Sequence, residues 1–162
     1  MLAVVPTRYG GPMKVFDRVS MLLRQKGSGI FSVRSQASVY SAIEAMADKR
    51  VGALLVIDEG KLVGVISERD YARKIILQGK SSKDTLVREI MTSSPITIGS
   101  DTSVEEAMRI MTDNRIRHLP VMDAAGQLTG VLSIGDLVKW IMTSQSEAIA
   151  HLEQYITGGL SH

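Results

Sequence analysis

One stretch of the chain occurs twice. RVGALLVIDEGKLVGVISERDYARKI at 50–75 returns at 115–141 as RIRHLPVMDAAGQLTGVLSIGDLVKWI. The offset is 65 residues and becomes 66 after one extra residue in the second turn. The match reaches upstream, where Ser38, Val39, Ala42, Met46, Asp48 and Arg50 reappear as Ser103, Val104, Ala107, Met111, Asp113 and Arg115. About a third of some 46 aligned positions are identical, which chance does not produce at one register. A single unit is too small to bury a sheet and two helices well, so the copies are expected to pack together about a pseudo-twofold axis, leaving two related clefts between them.

Each copy reads as βαββα. Phe31–Val33 and Ile96–Ile98 are short β segments. Ser38 and Ser103 are helix N-caps, and Ser103 with Glu106 has capping-box spacing. Val39, Ala42, Ile43 and Met46 share one helical face, copied as Val104, Ala107, Met108 and Met111. Ala53–Ile57 is continuously apolar, as a buried strand should be. Asp58-Glu59-Gly60 turns the chain into Leu62–Ile66, and Asp123-Ala124-Ala125-Gly126 turns it into Leu128–Leu132. Second helices are expected over 67–77 and 133–142. The divisions read from this pattern are a flexible leader (1–14), a first unit with an N-terminal helix (15–78), a linker (79–86), a second unit (87–143) and a helical tail (144–162). Val15, Phe16, Val19, Leu22 and Leu23 form the stripe of the N-terminal helix, and Ala148, Ile149, Leu152, Tyr155 and Ile156 that of the tail.

Charge locates the basicity. The pI is near 9.0, yet residues 1–30 hold five basic residues and one Asp, whereas 31–143 hold 14 of each sign. A broad nucleic-acid-tracking face is therefore not expected. No apolar run approaches the roughly 18 residues of a membrane helix, and Met1 to Val5 lack the charged leader and apolar length of a signal peptide. With no cysteine in 162 residues, disulfides and thiolate chemistry are excluded, and a reducing, cytoplasmic setting is expected. Enzymatic constellations are missing too. His118, His151 and His162 have no metal-ligand spacing, and no P-loop or dinucleotide fingerprint occurs.

The hairpins and the turns that follow them, VIDEGKLVGVISERD at 56–70 and VMDAAGQLTGVLSIGD at 121–136, together with SVEEAMRIMTDNRIRHLPV at 103–121, resemble a tandem pair of cystathionine-β-synthase (CBS) domains, a Bateman module, of the stand-alone bacterial kind. The resemblance covers residues 15–143. It implies an α/β (α+β) fold of two small mixed sheets packed against helices. It also implies a non-enzymatic regulatory role in signal transduction, binding AMP, ADP, ATP, NAD or S-adenosylmethionine between the units. Homodimerisation and a regulated protein partner are further implications.

Candidate ligand contacts follow from residues and resemblance together. Ser67-Glu68-Arg69-Asp70 and Ser133-Ile134-Gly135-Asp136 sit where a strand meets a helix. Ser67 with Asp70, and Ser133 with Asp136, can simply cap their helices. Each carboxylate can also accept hydrogen bonds from the two ribose hydroxyls, and both roles are assigned to both residues. Arg117 and His118 lead into the second central strand, where the family places phosphate contacts; Arg69 is a second phosphate candidate. Each of these is otherwise an ordinary exposed or structural side chain. Val51, Gly52 and Ala53 in one unit, and Ile116, Leu119 and Pro120 in the other, are candidates to hold adenine, with Ser32 and Thr97 adding hydroxyls. The expected asymmetry favours the cleft of Asp136, Arg117 and His118 as the tighter phosphate site. Two other functions stay open: a ligand-independent interaction module, and a nucleic-acid accessory using the basic leader with Arg50, Arg115 and Arg117. The helix faces around Tyr71, Ile75, Trp140 and Ile141 are expected to serve a dimer.

Overall fold

The structure, a computed structural model, describes residues 17–27 and 29–159. The expected leader, Val15, Phe16 and His162 lie outside the described residues, as do the side chains of Ala148, His151, Tyr155 and Ile156.

Two sheets form. The first contains β1 (Ser32–Val33), β2 (Ala53–Asp58), β3 (Lys61–Ser67) and β4 (Thr92–Ser93) in the order β1-β2-β3-β4. The second contains β5 (Ile98–Gly99), β6 (His118–Met122) and β7 (Leu128–Ser133) in the order β5-β6-β7. In both, the first strand pairs in parallel with the second, and the hairpin is antiparallel. The repeat extends to irregularities: register shifts fall between Val56 and Ile57 and between Val121 and Met122. Glu59 and Gly60 turn the first hairpin with φ of 50° and 77°, the left-handed pair that a two-residue turn requires.

The long helices begin as the caps dictate. Before α2 (Val39–Lys49), Ser38 Oγ accepts from Ser41 N–H. Before α5 (Val104–Asn114), Ser103 Oγ accepts from Glu106 N–H. The box expected at Ser103 is half made, because the Glu106 carboxylate turns outward to Arg109. Both helices stop at an arginine in the left-handed region, Arg50 (φ 55°) and Arg115 (φ 53°). Each buries its predicted stripe. Val39, Ala42 and Met46 pack with Leu54, Val56 and Ile66, and Val104, Ala107 and Met111 with Leu119, Val121 and Leu132.

The packing of the two halves is exchanged. The segment before each unit packs on the other unit. α1 (Val19–Lys26) sends Val19 and Leu22 into the second core, whereas α4 (Val87–Ile90) sends Val87 and Ile90 into the first. The exchange is matched bond for bond. Val39 N–H donates to the Thr85 carbonyl and Val87 N–H to that of Ala37, both at 2.8 Å. Val104 N–H donates to the Asp17 carbonyl and Val19 N–H to that of Thr102, also at 2.8 Å. Residues 87–93 thus pack on the first sheet, where β4 pairs with β3.

The hairpin-following helices also depart from expectation. α3 (Glu68–Tyr71) opens into a π-helical turn, Ala72–Ile76. The second copy is one continuous helix, α6 (Ile134–Gly159), so the tail is no separate element. Ile75 and Trp140 are core residues and Tyr71 packs against the core, because burying each small sheet takes the whole inner face of the helix. The exposed apolar side chains are instead Ile76, Leu77, Ile134, Val138, Met142, Ile149 and Leu152.

Candidate functional site

A cleft of about 540 Å³ opens between the units, within the range of small-ligand sites. Its floor is Gly52, Val65 and Ser67 of the first unit, continued by Thr92 and Ser94–Ile96. The start of α3 and the turn after it contribute Glu68, Arg69, Asp70, Arg73 and Lys74. The second unit closes the far side with Arg115, Ile116, Arg117 and His118.

Asp70 is fixed by the turn that bears it. Its Oδ2 accepts from Ser67 N–H at 2.9 Å and from Ser67 Oγ at 3.0 Å, while Asp70 N–H donates to Ser67 Oγ at 3.2 Å. This is the capping box read from the sequence. Lys74 Nζ lies 3.2 Å from the other oxygen, Oδ1, and donates to the Ile90 carbonyl at 2.7 Å. A carboxylate oxygen has two acceptor sites, so Oδ1 keeps capacity for a ligand hydroxyl. Arg69 Nη1 donates across the cleft to the Arg115 carbonyl at 3.1 Å, joining the units beside the site. The lining holds five Arg or Lys side chains against two carboxylates, a balance suited to an anionic ligand.

His118 stands between the two halves of the molecule. It pairs with Ser133 at the start of β6, and its ring faces Gly52, where a Cβ would lie 3.7 Å from Cε1. Burial holds the imidazole below its ordinary pKa; the charges of Lys26 and Arg117 push the same way and Asp136 opposes them.

The second carboxylate has other surroundings. Asp136 Oδ2 accepts from Ser133 N–H at 2.8 Å and from Lys26 Nζ at 2.7 Å, and Asp136 N–H donates to Ser133 Oγ at 3.1 Å. Burial alone raises this carboxyl, but the hydrogen bonds from Lys26 and Ser133 and the lysine charge outweigh it and hold the pKa below its ordinary value.

The expected grouping of Asp136 with Arg117 and His118 is thus corrected. Arg117 and His118 line the cleft of Asp70, and Asp136 does not, although the Asp136 charge still acts on the His118 ring. Gly52, Ser67, Arg69 and Ile116 join them there. Val51 packs on the first core and Ala53 pairs with Ser67 inside the sheet. Leu119 lies fully buried in the second core, and Pro120 is buried beside it. Ser32 is exposed on β1, the strand at the far edge of the sheet from β4, and Thr97 is exposed after the cleft-lining Ile96. Sequence reasoning passed over Arg73, Lys74, Thr92, Ser94, Pro95 and Lys26. Helical spacing from Arg69 and Asp70 would have found Arg73 and Lys74; nothing local marks the others.

Among the described residues no group of three or more His, Cys, Asp or Glu is placed to hold a metal, and no helix is long and apolar enough to cross a membrane. The CBS-domain family model matches residues 28–77 and 87–143. A curated relative is the CBS domain-containing protein CBSX3, mitochondrial, of Arabidopsis thaliana, 47% identical over 127 residues, 75% of this chain and 61% of that protein. Another, from Methanopyrus kandleri, is 34% identical over 95 residues, 58% of this chain and 48% of its own length. The chain therefore spans about half to three fifths of these relatives. A solved CBS-domain protein from Burkholderia ambifaria is 46% identical, with a TM-score of 0.74, covering 78% of this chain and 93% of that one. A CBS domain pair solved with 5′-methylthioadenosine and S-adenosyl-L-methionine is 26% identical, with a TM-score of 0.67, covering 76% of this chain and 94% of that one.

Proposed function

The chain belongs to the CBS-domain family, and from that premise we propose that it is a regulatory module that binds an adenosine nucleotide in the cleft between its units and performs no chemistry on it. One observation carries this reading: the Asp70 carboxylate lies in a cleft whose arginine and lysine side chains come from both units. Asp70 takes the ribose hydroxyls, since its Oδ1 has acceptor capacity left. Arg69, Arg73 and Lys74 on one side, with Arg115 and Arg117 on the other, take the phosphates. The apolar floor at Val65 and Ile96 takes the base. A related domain pair holds adenosine compounds, which supports this class of ligand.

A nucleotide bridging the units favours the arrangement in which both walls contact it, and so shifts the population of module conformations read by a partner. The exposed apolar side chains along α6, from Ile134 through Val138, Met142 and Ile149 to Leu152, support pairing with a second copy. The test is calorimetric and thermal-shift titration with AMP, ADP, ATP, NAD and S-adenosylmethionine. Binding of at least one, weakened by substitution at Asp70, is expected; a folded sample that binds none overturns the reading. The same α6 face favours the alternative of an interaction module indifferent to nucleotide, which that negative result would leave standing.

A further inference from the structure

The two carboxylate turns are built from one repeated scaffold, but the edge of the sheet beside each carboxylate is finished differently. In the first unit β4 pairs with Gly64 and Val65 of β3, and Val65 and Thr92 both line the open cleft. The second sheet ends at β7, with no counterpart of β4 among the described residues. Its edge is covered by side chains of α1. A Cβ on Gly130, the counterpart of Gly64, would lie 3.1 Å from Leu23 Cδ2. Lys26 Nζ donates at 2.8 Å to the carbonyl of Val131, the counterpart of Val65, and at 2.7 Å to Asp136 Oδ2.

We propose that Lys26 is a built-in plug of the second site: it binds Oδ2 of the Asp136 carboxylate and the neighbouring strand edge and stands in the approach a ribose would take, so that the chain takes one adenosine nucleotide, at Asp70, and not two. The inference rests on the nucleotide reading above and reverses the ranking of clefts expected from sequence. The chemistry is direct. Lys26 gives Asp136 Oδ2 a charge-assisted donor, stronger than the neutral hydroxyl of a ribose, and it reaches Asp136 from 110 residues away. Its tether is the last residue of α1, which is anchored by Val19 and Leu22 in the second core. By contrast, Lys74 contacts Asp70 from the same helix, four residues on, and is itself one of the residues lining the open cleft. There it can turn to a phosphate without vacating the site.

The test is isothermal titration with AMP of the full chain, of Lys26→Ala, and of Lys26→Ala combined with Asp136→Asn. Lys26→Met serves as a second variant that removes the charge and keeps most of the bulk. Circular dichroism melts confirm that each is folded. The intact chain is expected to bind one AMP, lost or weakened by Asp70→Asn. Lys26→Ala is expected to bind two, the added site weakened about tenfold or more by Asp136→Asn. One site in both the intact chain and the Lys26 variants, still sensitive to Asp70→Asn, overturns the plug and leaves the nucleotide reading intact. So do two sites in the intact chain. No binding to the intact chain, with one Asp136-dependent site in Lys26→Ala, overturns the role of the Asp70 cleft and supports the plug. No binding by any variant overturns both.

Discussion

Replacing Asp70 by Asn divides the two tasks of this carboxylate. As a cap, Asp70 accepts from Ser67 N–H and from Ser67 Oγ through one oxygen. Asparagine keeps one carbonyl oxygen for that position, so most of the cap survives, whereas alanine forfeits it at about 1 kcal/mol. In a chain of this length that corresponds to a Tm loss of about 2–4 °C for alanine, and less for asparagine. As a ribose acceptor, the carboxylate offers charge-assisted hydrogen bonds through Oδ1, both of whose acceptor sites are open once Lys74 turns to a phosphate. Two such bonds at the lower end of their range, about 1.5 kcal/mol each, come to about 3 kcal/mol, or roughly a hundredfold in affinity. Asparagine directs its NH2 group toward the hydroxyls at that position, so it loses most of this and alanine loses all of it. The assay pairs AMP calorimetry with melts of the ligand-free protein. Affinity should fall about 10- to 100-fold in both variants, although their Tm values differ. AMP affinity within about twofold of the intact chain in folded Asp70→Asn would refute the ribose assignment. So would losses that follow Tm from one variant to the other, because the carboxylate would then act only as a cap.

Other outcomes follow from the same geometry. Arg117→Ala should weaken AMP about tenfold and leave adenosine nearly unchanged; an equal loss for both ligands refutes a phosphate contact. His118 has its folded-state pKa below the ordinary 6.5, so below that pH the unfolded chain takes up a proton the native chain resists, and stability falls as the pH drops through 6.5 toward the folded value. His118→Asn should flatten the decline of Tm between about pH 7 and 5.5, and an unaltered slope removes His118 as its source. A Cβ at Gly64 would lie 2.7 Å from Met91 Sδ and 2.8 Å from the Thr92 carbonyl oxygen. The carbonyl is backbone and gives way poorly, so Gly64→Ala should cost about 1–3 kcal/mol in urea unfolding. Gly99→Ala is the control, with nothing within 4 Å of the added carbon; equal stability of the two variants contradicts the clash.

Whatever is written within a few residues, or in the repeat, could be read from the chain alone. Ser38 and Ser103 cap their helices through the residue three positions on. Ser67 with Asp70, and Ser133 with Asp136, hold one another across a single turn. Alternation and turn chemistry made both hairpins legible, and the duplication made each element of the βαββα unit legible in two copies. These are local preferences, and each is satisfied or lost over about one turn of chain. Which copy each element serves depends instead on long-range packing. α1 and α4 present short apolar faces that would suit either core; they cross because the backbone groups at Thr85 and Asp17 find partners beside α2 and α5. Packing of the two halves likewise brings Arg117 and His118 into the cleft of Asp70 and Lys26 to Asp136, over separations no local pattern records. The composition of the site was thus readable in part, whereas its division into one open cleft and one covered carboxylate came from how the two halves pack.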